Sequence, residues 1–197
     1  MTSMVMKNYK LTLILLLYVT GWNAYPADIA KYSDDKVKAS LLYNIGKMVS
    51  WPAHSFKTGE PILILFLGKD NNELGSYFDA KVRSRALTIH GRKLAVKLVD
   101  RSKLDRVVRK ELKQCHILFV FSTYNGSLSK LLHAIGNRPV LVIGESSSFS
   151  NDGGMIGLYV EKERICISVN LDATAKKDFL ISAQLLQHAI IVRTVHE

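Results

Sequence analysis

The side chains best suited to hold a metal or to act as nucleophile or base are six histidines (54, 90, 116, 133, 188 and 196), two cysteines (Cys115 and Cys166) and three consecutive hydroxyls, Ser146, Ser147 and Ser148. No two histidines stand two to five residues apart, the spacing at which one helix or turn presents two ligands to one ion. The serines lie outside any G-x-S-x-G elbow, and the chain has no G-x-x-x-x-G-K-[ST], G-x-G-x-x-G or H-E-x-x-H segment. The sequence therefore nominates no catalytic residue, no metal and no cofactor, and its function is to be sought in binding.

Two features remain open on residue chemistry alone. Cys115 stands at the mouth of an apolar run and Cys166 shares a strand face with Arg164, Ser168 and Asn170. An oxidising compartment permits them to bond if the fold brings their Cα atoms within about 7 Å; two separately buried thiols are the other reading. In Phe149-Ser-Asn-Asp-Gly153-Gly154-Met155-Ile156, the paired glycines allow positive φ and close backbone approach. The segment suits a tight turn into a strand or a small concavity of N–H groups for an anion, and an exposed Phe149 would favour a contact surface.

Positioning these residues falls to a regular alternation of elements. From Asp34, apolar residues Val37, Leu41, Leu42, Ile45, Met48 and Val49 form a helical stripe that Trp51-Pro52 ends. Continuous apolar runs at 61–67, 94–99, 116–121, 139–144, 155–160 and 164–170 read as strands, with helices near 71–80, 102–113 and 127–135 between them and a closing helix from about 174 to 192. The last two strands lie close enough for a hairpin. The expectation is one α/β domain over 28–197, an open, mostly parallel sheet with helices on both faces, a C-terminal antiparallel hairpin and a closing helix.

The chain has 197 residues, 48% of them hydrophobic and 22% charged, enough apolar content for a sizeable core. Residues 1–27 read as a secretory signal: Lys7 and Lys10 precede the apolar run LTLILLLYV (11–19), with cleavage expected near 24–27. Removing it takes two lysines and no acid and leaves 25 basic and 17 acidic side chains. In an exported protein that charge is either a plain solvated surface or a match for acidic partners or anionic membrane surfaces, rather than for nucleic acid. Lys103, Arg106, Arg109, Lys110 and Lys113 on one helix, with Lys81, Arg83, Arg85, Arg92, Lys93 and Lys97, could form one basic patch or simply solvated faces.

The run Lys38-Ala39-x-Leu41-Leu42-Tyr43-Asn44-Ile45-x-Lys47-x-Val49-x-Trp51-Pro52 resembles the opening of YfiR-like periplasmic proteins. Cys115-His116-Ile117-Leu118-Phe119, the Phe149–Ile156 segment, Ile167-Ser168-Val169-Asn170-Leu171 and Ile181-Ser182-x-x-Leu185-Leu186 follow in the same order, so the resemblance covers roughly 36–192. It implies a non-enzymatic periplasmic homodimer that represses an inner-membrane diguanylate cyclase through the cyclase's periplasmic region. An outer-membrane OmpA-like lipoprotein relieves that repression, and cyclic-di-GMP and biofilm formation follow. The positions it marks for partner contact are Tyr43, Trp51, Pro52, Phe149, Gly153, Gly154 and Met155. A disulfide switch as in redox-sensing members would need more cysteines than the two present. The alternatives are a periplasmic small-ligand module, with its crevice at the strand ends near Gly68 or Gly144-Glu145-Ser146, or an accessory of a sensor kinase.

Overall fold

Strand β2 (Ile62–Leu67) turns Ile62, Ile64 and Phe66 to one side and Leu65 and Leu67 to the other, and all five are buried. A strand is apolar on both sides only where both faces of its sheet are covered. The structure is a computed structural model and describes residues 34–193; the export signal expected at 1–27 lies outside them. Along the chain follow α1 (Asp34–Lys47), β1 (Val49–Ser50), β2, α2 (Leu74–Arg85), β3 (Thr88–Ile89), β4 (Arg92–Val99), α3 (Arg106–Leu112), β5 (Ile117–Val120), α4 (Leu128–Ile135) and β6 (Leu141–Gly144). Then come β7 (Ile156–Glu161), β8 (Arg164–Asn170), α5 (Leu171–Ala175), β9 (Leu180–Ile181), α6 (Ala183–Leu186) and β10 (Ala189–Val192).

Eight strands form one sheet in the order β10-β8-β7-β6-β5-β2-β4-β3. The central five, β4-β2-β5-β6-β7, are parallel, with β3 antiparallel to β4 and β8 antiparallel to β7. Their order is that of a doubly wound sheet whose winding reverses between β2 and β5. On one face α1 and α2 bring Leu42, Ile45, Phe78 and Val82 onto Ile64, Phe66, Ile117, Phe119 and Ile143. On the other, α3 and α4 bring Val108, Leu112, Leu131 and Ile135 onto Leu65, Leu67, Leu118, Val120 and Val142. The expected α/β class, mostly parallel sheet and two helical layers are all present.

Three local readings need correction. The helix expected from 102 begins at Arg106, because Asp105 is its cap and accepts the Val108 N–H at 2.8 Å. Strand β4 is extended into a hairpin with β3 through His90 (φ 49°) and Gly91 (φ 76°), a two-residue turn with both centres left-handed.

The closing helix from 174 to 192 does not form. Asp178 (φ 58°) stops α5, Ser182 caps the single-turn α6 by accepting the Leu185 N–H at 3.3 Å, and the β-branched run Ile190-Ile191-Val192 pairs in parallel with β8. The final hairpin is consequently not the sheet edge, which β10 covers. A separate two-stranded ladder joins β1 to β9, Val49 opposite Ile181 and Ser50 opposite Leu180.

Candidate functional site

Helix α1 crosses its face of the sheet from the carboxyl ends of the parallel strands to their amino ends. Near its start Lys38 reaches Glu145, just beyond β6, and past its end Trp51 packs on Phe56, which stacks on His116 just before β5. Tyr43, on the same helix, is half-buried and donates its hydroxyl to the Thr88 carbonyl at 3.0 Å. Trp51 sits between Phe56 (5.0 Å between centroids) and Phe179 (5.2 Å, edge-on), beside the buried Pro52, and its indole N–H is buried without a partner among the described residues.

Beneath this aromatic group, the Leu63 N–H donates to Nδ1 of His116 at 3.1 Å, which leaves Nε2, 3.8 Å from Glu60 Oε2, to carry the proton of the neutral ring. Burial holds His116 below its ordinary value, against the pull of Glu60, with the Arg92 guanidinium adding a smaller push in the same direction as burial. Arg92 itself lies 4.6 Å from the centre of the Phe56 ring and donates to the carbonyls of Lys57 and Glu60.

The glycine segment runs from beyond the carboxyl end of β6 back to the amino end of β7, and it is split between the two layers: Met155 joins the apolar cluster against which Tyr43 and Trp51 pack, while Phe149 belongs to the cluster on the other face. Phe149 is 5% exposed, so the ring does not offer the contact surface that an exposed one would have favoured. A Cβ on Gly144 would lie 2.3 Å from that ring and one on Gly154 2.2 Å from it, so the two glycines exist to admit Phe149. Ser150 fixes the loop from inside: its hydroxyl shares a 2.8 Å hydrogen bond with that of Ser168, and its carbonyl accepts from Asn170 Nδ2 at 2.8 Å. Met155 is buried. Gly153 (φ 95°) and Met155 border a hollow of about 570 Å³ between α4 and α5, whose wall includes Leu132, Ile135 and Val140 and whose rim carries Lys176 and Lys177.

At the winding reversal, where doubly wound sheets usually receive ligands, there is little room. The crevice bounded by Lys69, Asp70, Ser122, Thr123 and Glu145 holds about 90 Å³, below the several hundred a small-molecule site needs. Asp35 of α1 lines it, and Lys38 on the same helix lies 2.9 Å from Glu145 Oε1, while Glu145 Oε2 accepts from the Ser122 N–H (3.1 Å) and hydroxyl (3.3 Å). Of the three serines, Ser148 donates to Asp152 at 2.7 Å and shares a 3.0 Å bond with Ser146, a hydrogen-bonded turn at the surface.

Cys115 and Cys166 do not pair. Cys115 precedes β5 and Cys166 lies in β8, with β6 and β7 between, so roughly three strand spacings of about 4.8 Å separate them. Burial pushes the Cys115 thiol up to about 12, against the nearby Arg138 and its own backbone hydrogen bond. The basic residues do not make one patch either. Lys81 and Arg85 border a groove between α1 and α2, Arg83 pairs with Asp79 and Lys97 with Glu111, and α3 with its cations lies on the other side of the sheet. Among the described residues no group of three His, Cys, Asp or Glu side chains could hold a metal ion, and no helix is long and apolar enough to cross a membrane.

Sequence reasoning missed Phe56, Phe179 and Tyr77. The spacing of Tyr77, Lys81 and Arg85 at i, i+4 and i+8 was the available signal for the last. Phe56 and Phe179 gave none, because only the fold brings them to Trp51.

Fold and site together define a doubly wound α/β domain in which the first helix borders the small crevice at the winding reversal. The chain belongs to the YfiR/HmsC-like family, whose profile matches residues 35–190. Among curated proteins none matches it. Its fold is similar to that of an ABC domain from Streptococcus pneumonia solved in complex with L-Trp (10% identity, TM-score 0.56, covering 79% of this chain and 60% of that one). It is also similar to a conserved domain protein from Vibrio cholerae O1 biovar El Tor (10% identity, TM-score 0.54, covering 80% and 60%). The chain thus spans 60% of the length of each.

Proposed function

We propose that this protein is a non-enzymatic regulator of the periplasm that binds the extracytoplasmic region of an inner-membrane diguanylate cyclase and holds it inactive, with an outer-membrane OmpA-like lipoprotein relieving the repression. The observation that carries this reading is family membership across 35–190, the whole of the folded domain. The apolar run at 11–19 and the basic mature chain agree with export and with an acidic partner. Such a regulator acts by population shift and must bind the inactive cyclase more tightly than the active one by about 1–3 kcal/mol. The protein works as a homodimer. Tyr43 and Trp51 are the partner-contact residues that keep exposed surface; Pro52, Phe149, Gly154 and Met155 shape the fold beneath, and Gly153 borders the hollow beside α4.

The test is intracellular cyclic-di-GMP with the gene deleted and then restored. A rise on deletion, reversed by complementation, is expected; an unchanged level under several envelope stresses overturns the reading.

A second reading, a periplasmic small-ligand module, is favoured by the 570 Å³ hollow beside α4, which has the size of a ligand pocket. It predicts that a metabolite panel raises the melting temperature of the mature protein, and silence across the panel removes it.

A further inference from the structure

The groove between α1 and α2 is built on a floor of three apolar side chains, Ala39 and Phe78 buried and Leu87 half-buried. Tyr43 from α1 and Tyr77 from α2 form its walls, and it holds about 190 Å³, the space of one or two side chains. Above the walls stand cations that the aromatic rings hold in place. Lys81 Nζ lies 5.2 Å and Lys36 Nζ 5.9 Å from the centre of the Tyr77 ring, and Lys47 Nζ lies 5.4 Å from that of Tyr43, all within reach of the ring quadrupole. Arg85 lines the groove one helical turn beyond Lys81. None of the residues lining it is acidic, and Asp79 on the same helix is engaged by Arg83 at 2.6 Å. The groove therefore offers an apolar seat ringed by cations, of which Lys36 and Lys81 are biased toward their seats by the Tyr77 ring, which lowers the ordering cost of a partner's carboxylates.

We infer that this groove is the docking site for an acidic segment of a partner protein, one apolar side chain of which enters between Tyr43 and Tyr77 while flanking Asp or Glu side chains meet Lys36, Lys81 and Arg85. The shape argues against a bilayer, because a flat surface of headgroups does not reach Phe78 below the helix ridges. The charge argues against a second copy seated in this groove, because the groove is basic and the chain carries 27 basic against 17 acidic residues, so the contact between copies is assigned to another face. The inference rests on the repressor reading in naming the occupant as the membrane partner, and goes beyond it in naming the surface and the chemistry of the segment.

Asn44 lines the groove and is exposed, and Lys110 is exposed on α3 across the sheet. The full chain carrying a photo-crosslinking p-benzoylphenylalanine in place of either residue is expressed in the deletion strain, and the attachment point is mapped by mass spectrometry. From position 44 the expected adduct lies in an acidic stretch of an extracytoplasmic domain and falls about tenfold with K81E/R85E, corresponding to about 1.4 kcal/mol of binding; from position 110 no such adduct forms. An adduct to lipid, to a second copy, to the chain's own N-terminal segment or to a segment without acids overturns the inference, as does an adduct that K81E/R85E leaves unchanged or no adduct at all. Circular dichroism confirms that K81E/R85E is folded, and a Y77L variant, which keeps the charges but removes the ring that seats two of them, should weaken the adduct less than K81E/R85E. Cyclic-di-GMP is read in the same strains. If the wild-type chain restores repression and K81E/R85E does not, both readings stand. If the wild-type chain leaves cyclic-di-GMP unmoved, the repressor reading fails while the adduct map still judges the groove.

Discussion

The ring of Phe149 occupies the space that a side chain on Gly144 would take, since a Cβ there would lie 2.3 Å from Cδ2 and Cε2 of the ring. Gly144 ends β6 and Phe149 is reached within five residues, so the chain doubles back on itself and plugs the second helical layer with its own aromatic. Gly144→Ala should destabilise the protein by roughly 1–3 kcal/mol by overpacking, and Phe149→Ala by roughly 3–5 kcal/mol by leaving a cavity. The two should not add: in a Phe149→Ala background the alanine at 144 meets empty space, and urea unfolding of the double variant should show a positive coupling of at least about 1 kcal/mol. Additive losses would mean that the ring does not rest on Gly144.

Lys38 and Glu145 bury their charges together, with side chains 9% and 11% exposed. Removing the cation leaves a carboxylate with only the Ser122 N–H and hydroxyl to satisfy it. Lys38→Met should therefore cost about 3–5 kcal/mol, and Lys38→Met with Glu145→Gln clearly less, because the second change removes the stranded charge. Equal losses from both constructions, measured by denaturant midpoint, would show that the pair is not electrostatically coupled.

His116 should make the fold sensitive to acid. Its folded value lies below that of the unfolded chain, so the unfolded state takes up the proton first, and the stability it contributes is present above about pH 6.5 and lost as the pH falls below that. The urea midpoint of the mature protein should drop between about pH 7 and pH 5. His116→Asn, which keeps an acceptor for the Leu63 N–H, should flatten that drop; an unchanged slope would assign the acid sensitivity elsewhere.

The two cysteines should behave independently. Near neutral pH a thiol reagent should label the half-buried Cys166 in the native protein and leave Cys115 untouched until unfolding, because a thiol pushed up to about 12 supplies almost no thiolate. Reduction should leave the melting temperature unchanged. A shift with reductant, with no cross-linked species on a non-reducing gel, would contradict the strand order that separates them.

The sheet was legible where strands are apolar on both faces, as in Ile62–Leu67 and Ile117–Val120, because a short unbroken run bounded by turn residues has few other homes. The C-terminal region was misread for a related reason. Phe179, Leu180, Leu185, Leu186, Ala189 and Ile190 fall at helical spacings although they belong to a turn and three elements, and the β-branched triplet Ile190-Ile191-Val192 was the cue that outweighed them. For the candidate site, the motif residues were visible but their roles were not. Phe149 is buried because glycines ten residues apart converge on it, and Trp51 finds Phe179 more than a hundred residues away. Relationships of that range leave no trace in local periodicity.

The short ladder between β1 and β9 joins segments about 130 residues apart, and the Ser182 N–H extends it by donating to the Met48 carbonyl at 2.9 Å. Closing so large a loop gives the molecule a clasp: the stretch that follows the first helix and the stretch that precedes the last strand are released together or held together. The amides of Ser50, Leu180 and Ser182 should therefore exchange with deuterium as one cooperative unit. A cut or truncation near either end would loosen the other.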